Sequence, residues 1–150
     1  MEIKKVAIIG GGTMGSGIAE VCAKSGLDTI VMEPEAAAAE AAQKRINDSL
    51  DKAVARGRLS EQDRTTTGAL LSYTTDINAL SDRDLVIEAI IENEAIKLDL
   101  FKRLDEVTPE HCILASNTSS IPLINIGTAT KRPDRVLGLH FFNPATVQKL

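Results

Sequence analysis

Three glycines near the amino terminus are spaced as in a loop that holds phosphate groups. Gly10, Gly12 and Gly15 fit the pattern G-x-G-x-x-G, after the apolar run 6–9 and before a helix-like segment. In that setting the first glycine permits a tight turn, the second lets the backbone approach a pyrophosphate, and the third lets the helix pack closely on the strand. The phosphates would lie on the helix N-terminus, where free N–H groups and the helix dipole favour an anion. The simpler interpretation is that the glycines form only a turn. The predicted dinucleotide-binding residues of this loop are Gly10, Gly11, Gly12, Thr13, Met14 and Gly15.

An acidic residue follows at the distance that such a loop requires. Glu33 lies 18 positions after Gly15 and closes the next apolar run, 29–32. A carboxylate at that point can accept hydrogen bonds from both hydroxyls of an adenosine ribose, and it would repel a 2′-phosphate. Pro34 follows instead of an arginine that could hold that phosphate. The pattern therefore predicts NAD in preference to NADP, although Glu33 could also be a solvated strand end.

Length, composition and charge place the chain among soluble globular domains. Its 150 residues have the length of one domain, and the 43% hydrophobic and 25% charged residues are sufficient for a core without disulfides. This excludes a disordered chain and a disulfide scaffold. The net charge of −4 and the 3% aromatic content argue against nucleic acid as a partner, because that role needs a basic surface or stacking platforms.

Cysteine usage and the amino terminus predict a cytoplasmic protein that does not associate with membranes. Cys22 and Cys112 both lie in apolar runs, which is typical of buried thiols in a reducing compartment. Residues 1–5 run directly into the first strand and leave no room for a targeting sequence. No apolar run approaches the roughly 20 residues that a membrane span needs.

The elements that must position these residues alternate between strands and helices. Apolar runs predict six strands, at 6–9, 29–32, 71–75, 85–87, 112–115 and 136–139. Helical patterns predict one helix after Gly12, three at 35–56, 60–71 and 94–107, and one after Pro122. Strands that are apolar on both faces and alternate with helices indicate a parallel sheet covered on both sides. We therefore predict an α/β fold, a Rossmann-type doubly wound and mainly parallel sheet. The helical pair at about 35–71 is expected to project from it as a hairpin.

Four segments give the chain a specific resemblance to a known family. They are Ile8–Ala19, Val86–Asn93, Ala115–Ser120 and Gly138–Pro144, in that order. Together they resemble the NAD-dependent (S)-3-hydroxyacyl-CoA dehydrogenases, a family that includes bacterial 3-hydroxybutyryl-CoA dehydrogenases. The resemblance covers essentially all 150 residues. It implies an oxidoreductase that uses NAD and moves a hydride between that cofactor and the C3 hydroxyl of a short (S)-3-hydroxyacyl-CoA, as in fatty acid β-oxidation.

The resemblance also implies roles for three residues that follow predicted strands. His140 would be the catalytic base, and an imidazole suits that role because it titrates near neutral pH. On its own, a single histidine at a strand end is more often structural. Ser119 and Asn143 would lie near the nicotinamide and the 3-oxygen of the substrate as neutral hydrogen-bond donors. Their simpler roles are a helix cap before Pro122 and a turn before Pro144.

Two charged residues match cofactor contacts of the family. These are Glu92 and Lys97, whose simpler interpretations are a helix-start acid and a surface lysine. Glu88 and His111 are expected to be structural or solvated. The polar residues Ser116 and Asn117 are expected to shape the loop after their strand.

One flank of the predicted helix at 35–56 carries a row of polar and basic residues. Arg45, Ser49, Lys52 and Arg56 follow one another at helical spacing, which suits the phosphates of CoA. The resemblance supports Ser49 and Arg56 in particular, and it adds Ser119 as a further substrate contact. A solvated helix face is the alternative, since acidic residues lie on the other side of the helix. No residue pattern predicts a metal site.

The resemblance sets an expectation for the organisation of the protein. Residues 1–150 correspond to the NAD-binding domain, and the family's helical substrate and dimerisation domain is not among them. The family orients its histidine with a glutamate that would lie beyond Leu150. We therefore expect the chain to bind NAD and to catalyse weakly or not at all alone, with homo-oligomers formed through the other domain. The alternatives are an isolated NAD-binding module without catalysis and a dehydrogenase of free hydroxy acids.

Overall fold

A computed structural model describes all 150 residues as alternating strands and helices. The strands are β1 (Lys5–Ile9), β2 (Asp28–Met32), β3 (Leu71–Thr74), β4 (Leu85–Glu88), β5 (Ile113–Ser116) and β6 (Val136–Gly138). The helices are α1 (Thr13–Lys24), α2 (Ala36–Ala55), α3 (Glu61–Ala69), α4 (Glu94–Val107) and α5 (Leu123–Thr128), with short 3₁₀ turns at Ile77–Leu80 and Pro133–Arg135. Every predicted strand and helix is present, and the ends shift by a few residues. The two 3₁₀ turns were not predicted.

The six strands form one parallel sheet in the order β3-β2-β1-β4-β5-β6. This is the strand order of a doubly wound Rossmann sheet, so the predicted fold class is confirmed. The order reverses between β1 and β4, which are neighbours in the sheet although two strands separate them in the chain. In such sheets ligands bind at the carboxyl ends of the strands beside this reversal. The loops after β1, β2, β4, β5 and β6 are therefore the segments that can build a site.

The core lies on both faces of the sheet because alternate residues of each strand point to opposite sides. On β1, Ala7 and Ile9 pack with Phe101 and Leu104 of α4, whereas Val6 and Ile8 pack with residues of α1 and α2. All four β1 residues are buried.

The predicted helical pair is present as α2 and α3, and α2 packs on the sheet. Ala42, Ile46 and Leu50 of α2 are buried in the same cluster as Ile8 of β1 and Ile18 of α1. The apolar stripe that predicted this helix therefore covers the sheet next to α1. Only Thr67 of α3 is buried. The packing of α2 on the sheet and α1 places the polar flank of α2 directly beside the glycine loop.

Both cysteines are free thiols inside the core, as predicted. Burial raises the pKa of Cys22 to about 11, and burial is also the main cause that raises the pKa of Cys112 to about 11. The thiolate is the reactive form of cysteine, so both residues are chemically inert at neutral pH. No helix of the chain combines the length and apolar character needed to cross a bilayer.

Candidate functional site

The glycine loop connects β1 to α1 in a conformation that needs its glycines. Gly10 has φ +95°, and a Cβ there would lie 2.8 Å from the carbonyl oxygen of Ala89. A Cβ on Gly15 would overlap the carbonyl oxygen of Gly10, so α1 can approach β1 only without a side chain. A Cβ on Gly12 would have no neighbour within 4 Å. The turn and the helix packing therefore require Gly10 and Gly15, and the space outside Gly12 is open for a ligand.

The amino end of α1 is arranged to receive an anion. Gly12 is the N-cap residue, and no side chain caps the first turn. The first backbone N–H groups of the helix consequently remain available, and the helix dipole adds a partial positive charge there. An anionic pyrophosphate fits this end of α1, and the open surface of Gly12 gives it access.

Glu33 follows β2 and contacts the glycine loop itself. Its Oε1 accepts a hydrogen bond from the Gly11 N–H at 2.5 Å, and the carboxylate is half-buried. A Cβ on Gly11 would clash with the Ala42 side chain of α2 and lie 3.5 Å from that same carboxylate oxygen. Gly11 is thus also required by packing, for a reason that the motif does not reveal.

A cavity of about 450 Å³ lies between the carboxyl ends of β1 and β2 and helix α4. Its wall carries three charged groups, Glu33, Asp99 and Arg103, and its apolar residues include Met32, Ile96 and Leu100. Its size and apolar lining suit an adenine ring, with the ribose beside the Glu33 carboxylate. The structure therefore places Gly10, Gly12 and Glu33 around one nucleoside-sized space.

A second cavity, of about 330 Å³, brings together most of the remaining predicted residues. Its lining consists of Met14, Ala89, Ile90, Glu92, Lys97, Asn117, Ser119, His140, Phe141, Phe142 and Asn143. These residues come from the start of α1 and from the segments that follow β4, β5 and β6. The cavity therefore lies at the carboxyl edge of the sheet, next to the glycine loop.

Backbone hydrogen bonds hold the histidine segment against the loop after β5. The Leu139 N–H donates to the Ser116 carbonyl at 2.9 Å, and the Phe141 N–H donates to Asn117 Oδ1 at 2.7 Å. His140 lies between these two anchored residues, and its exposed ring packs against Phe142 with 4.8 Å between ring centroids. The imidazole forms no hydrogen bond with any of the 150 residues, so both of its nitrogens are available to a ligand.

Ser119 and Asn143 face the same cavity as His140. Ser119 is exposed and does not cap α5, whose N-cap residue is Pro122. Asn143 is exposed as well and also lines a smaller cavity of about 180 Å³ beside α1 and α2. The two neutral donors thus lie on the wall that carries the imidazole, where they could reach an oxygen atom of a bound substrate.

The simpler interpretation of Lys97 is wrong, and the structure decides between the two expectations for Glu88. Lys97 is not a surface residue, because its side chain is 1% exposed and its Nζ contacts Glu88 at 2.7 Å and Glu92 at 2.6 Å. Glu88 is completely buried at the end of β4, where Oε2 accepts from the Ser116 hydroxyl and Oε1 accepts from the Ile90 N–H. It is therefore structural in position and not solvated.

Glu92 remains half-exposed on the cavity wall. Partial burial raises the pKa of its carboxyl, but hydrogen bonds from Lys97, Thr118 and Ser120 outweigh burial and hold that pKa below its usual value. Glu92 is consequently an anion throughout the neutral range.

The row along α2 is not a continuous set of free cations. Arg45 donates from Nη1 to the Gly11 carbonyl at 2.5 Å, and the Ser49 hydroxyl donates to Glu20 at 2.6 Å. Lys52 and Arg56 are exposed and form no ion pair, so they are the residues of this row that can attract a phosphate. Glu20, which is 2% exposed, was not anticipated by the sequence analysis.

Comparison with known proteins gives a consistent result. The family model described as "3-hydroxyacyl-CoA dehydrogenase, NAD binding domain" matches residues 5–150. The chain is 52% identical over 149 residues to 3-hydroxybutyryl-CoA dehydrogenase of Mycobacterium tuberculosis, covering 99% of this chain and 52% of that protein. It thus spans about half the length of that curated relative.

Solved structures are similar over the same range. A crystal structure of M. tuberculosis FadB2 superposes with a TM-score of 0.96 at 51% identity, covering 98% of this chain and 52% of that one. A crystal structure of 3-hydroxybutyryl-CoA dehydrogenase from Escherichia coli gives a TM-score of 0.97 at 44% identity, covering 99% of this chain and 32% of that one.

Proposed function

This chain belongs to the family of 3-hydroxyacyl-CoA dehydrogenase NAD-binding domains, and from that membership we propose that it takes part in hydride transfer between a 3-hydroxyacyl-CoA and NAD. The observation that carries the proposal is the cavity in which His140, Ser119 and Asn143 lie beside the glycine loop. A short acyl chain such as 3-hydroxybutyryl is the proposed substrate, as the names of relatives suggest.

The cofactor extends from the adenine-sized cavity to the His140 cavity in this proposal. The Glu33 carboxylate accepts hydrogen bonds from the ribose hydroxyls, and the glycine loop and the first turn of α1 bind the pyrophosphate. The nicotinamide then lies in the second cavity, which is lined by Glu92, Lys97, Ser119 and Asn143. When bound, the oxidised cofactor supplies the acceptor for the hydride that leaves C3.

His140 supplies the complementary proton chemistry. The neutral imidazole accepts the proton of the 3-hydroxyl as the C–H bond at C3 breaks. The C3–O single bond becomes a carbonyl double bond, so the product is a ketone. In the reverse direction the imidazolium returns that proton to the ketone oxygen. Ser119 and Asn143 donate hydrogen bonds to the oxygen, whose charge changes during the reaction.

Hydride transfer by the chain itself tests this proposal. The protein, in molar excess over NADH, is mixed with acetoacetyl-CoA, and the loss of NADH fluorescence is followed in a single turnover. We expect slow oxidation of NADH that depends on both the protein and the thioester; the rate is low because substrate closure is proposed to lie outside these residues. Saturating NADH binding without any oxidation would show that residues 1–150 do not catalyse alone and would favour the non-catalytic candidate for this chain.

A non-catalytic NAD-binding module is the second candidate. The observation that favours it is the imidazole of His140, which has no hydrogen-bond partner to orient it among these residues. The single-turnover assay separates the two candidates. A dehydrogenase of free hydroxy acids is a weaker third candidate, tested by replacing the thioester with acetoacetate.

We further propose that residues 1–150 are the cofactor domain and that substrate closure and homo-oligomer contacts are made outside them. The length of the curated relatives supports this division. A cytoplasmic location is proposed on the two free, buried cysteines, which suit a reducing compartment.

Reversing the charge of Arg56 is expected to weaken acyl-CoA binding about tenfold at low ionic strength, because a phosphate would lose a cation and meet an anion. Calorimetric titration of Arg56→Glu with acetoacetyl-CoA in the presence of NADH measures this effect. Arg58→Glu is the matched control, since Arg58 is also exposed and lies beyond the α2 flank. Acetoacetyl-pantetheine lacks the nucleotide phosphates, so its affinity should not change. An equal loss for both thioesters would contradict a phosphate contact.

A further inference from the structure

A cluster of three charges lies at the boundary between the core and the His140 cavity. Glu88 ends β4, Glu92 follows it in the same loop, and Lys97 reaches both carboxylates from the first turns of α4. Two carboxylates share one ammonium group, so the cluster carries one net negative charge. The anionic state of Glu92 is maintained by the hydrogen bonds described above.

The surplus negative charge is on the cavity side of the cluster. The Glu88 side chain is 0% exposed and is enclosed by Lys97, the Ser116 hydroxyl and the Ile90 N–H. The Glu92 side chain is 46% exposed and lines the cavity. Because Lys97 Nζ contacts both carboxylates at nearly equal distances, 2.7 Å to Glu88 and 2.6 Å to Glu92, Glu92 receives only part of that cation's compensation.

Few other charges act on this space. Besides Glu92 and Lys97, the one titratable residue on the cavity wall is His140, which is neutral when it serves as a base. The remaining lining residues are apolar or carry neutral amide and hydroxyl groups. Glu92 is therefore the exposed fixed charge on the cavity wall, whereas the Lys97 side chain beside it is 1% exposed.

We propose that Glu88 is a positioning residue that acts through Lys97 to leave Glu92 negatively charged toward the nicotinamide, and that this charge favours the oxidised over the reduced cofactor. The nicotinamide ring carries a positive charge in NAD⁺ and none in NADH, while the rest of the molecule is the same. A nearby fixed charge consequently acts on the difference between the two forms. The inference rests on the proposed placement of the nicotinamide in the His140 cavity.

Glu88→Gln tests this inference because it keeps the shape of the side chain and removes its charge. Lys97 then compensates Glu92 alone, and the net charge of the cluster falls to zero. We expect the affinity for NAD⁺ to fall about tenfold relative to the affinity for NADH, since a unit charge beside the nicotinamide acts through partly screened protein. Calorimetric titrations with NAD⁺ and NADH give the two dissociation constants.

The double variant Glu88→Gln/Lys97→Met separates charge from structure. It removes the buried ion pair and leaves Glu92 as the single, uncompensated charge, so the NAD⁺-to-NADH preference should return at least to that of the unmodified chain. Replacing both members of a buried pair with neutral groups is also better tolerated than removing one. Glu106→Gln is the control, because Glu106 is an exposed carboxylate on the same helix and forms no ion pair.

The outcomes distinguish this inference from the proposed function. If Glu88→Gln weakens NAD⁺ and NADH by the same factor, Glu88 has only a structural role and the inference is wrong. Failure of the double variant to restore the preference would also overturn it. If the unmodified chain binds neither cofactor, the proposed function fails before the cluster is tested.

Discussion

Replacing Gly15 with alanine is expected to destabilise the fold by about 3 kcal/mol or more and to abolish NADH binding. The added methyl group would overlap the carbonyl oxygen of Gly10, which is backbone and cannot rotate away. Helix α1 would have to move off β1, and Gly15 and Ile8 lie where the two elements are in contact. Thermal or urea unfolding gives the stability, and NADH fluorescence gives the binding.

Gly12→Ala is the matched variant that separates folding from binding. A Cβ at Gly12 would meet no atom within 4 Å, and its φ of −67° is open to any residue. Stability should therefore stay near that of the unmodified chain, while NADH affinity falls at least about tenfold because the methyl group lies where the pyrophosphate approaches. A Gly12→Ala protein that binds NADH normally would show that the glycine loop does not hold the cofactor.

Replacing His140 with glutamine is expected to slow hydride transfer by about 10²–10⁴-fold while NADH binding and stability remain unchanged. Glutamine can hydrogen-bond to the substrate oxygen but cannot accept its proton, which is the role proposed for the imidazole. The side chain is exposed, so its replacement removes little packing. Single-turnover oxidation of NADH by acetoacetyl-CoA measures the rate.

The second histidine provides the control for that experiment. His111 is also exposed, and its ring contacts Asp84 at 3.1 Å, away from the cavity. His111→Gln should react at the rate of the unmodified chain. Equal rates for His140→Gln and the unmodified chain would remove His140 from the mechanism.

Most of the fold could be predicted because its signals are local. Continuous apolar runs marked the strands, and the stripe Ile46 and Leu50 marked α2. The resemblance inferred from four segments is confirmed by the family match over residues 5–150. The helical pair at 35–71 is present as predicted, but the packing of α2 was not, since an apolar stripe identifies a buried face without identifying what covers it. The buried face of α2 packs against the sheet and α1.

Site residues could be predicted where a residue type that can bind a ligand or move a proton directly follows a strand. Gly10, Glu33 and His140 each follow a strand, and the fold brings them to one edge of the sheet. The buried partners were not predictable, because they depend on contacts between distant segments. Glu88 is enclosed by residues 9 and 28 positions away, and Glu20 accepts from Ser49, 29 positions away. Before these contacts are known, a carboxylate at a strand end or on a helix is expected to be solvated.

Calorimetric titration of the chain with NADH and with NADPH tests the central claim most directly. The account predicts that NADH binds, that NADPH binds at least about tenfold more weakly because Glu33 repels the 2′-phosphate, and that Glu33→Ala loses most of the NADH affinity. Glu35→Ala is the control, since Glu35 is an exposed acid two residues further along. Equal binding of NADH and NADPH, or a preference for NADPH, would contradict the role given to Glu33 and with it the assignment of this loop as an NAD site.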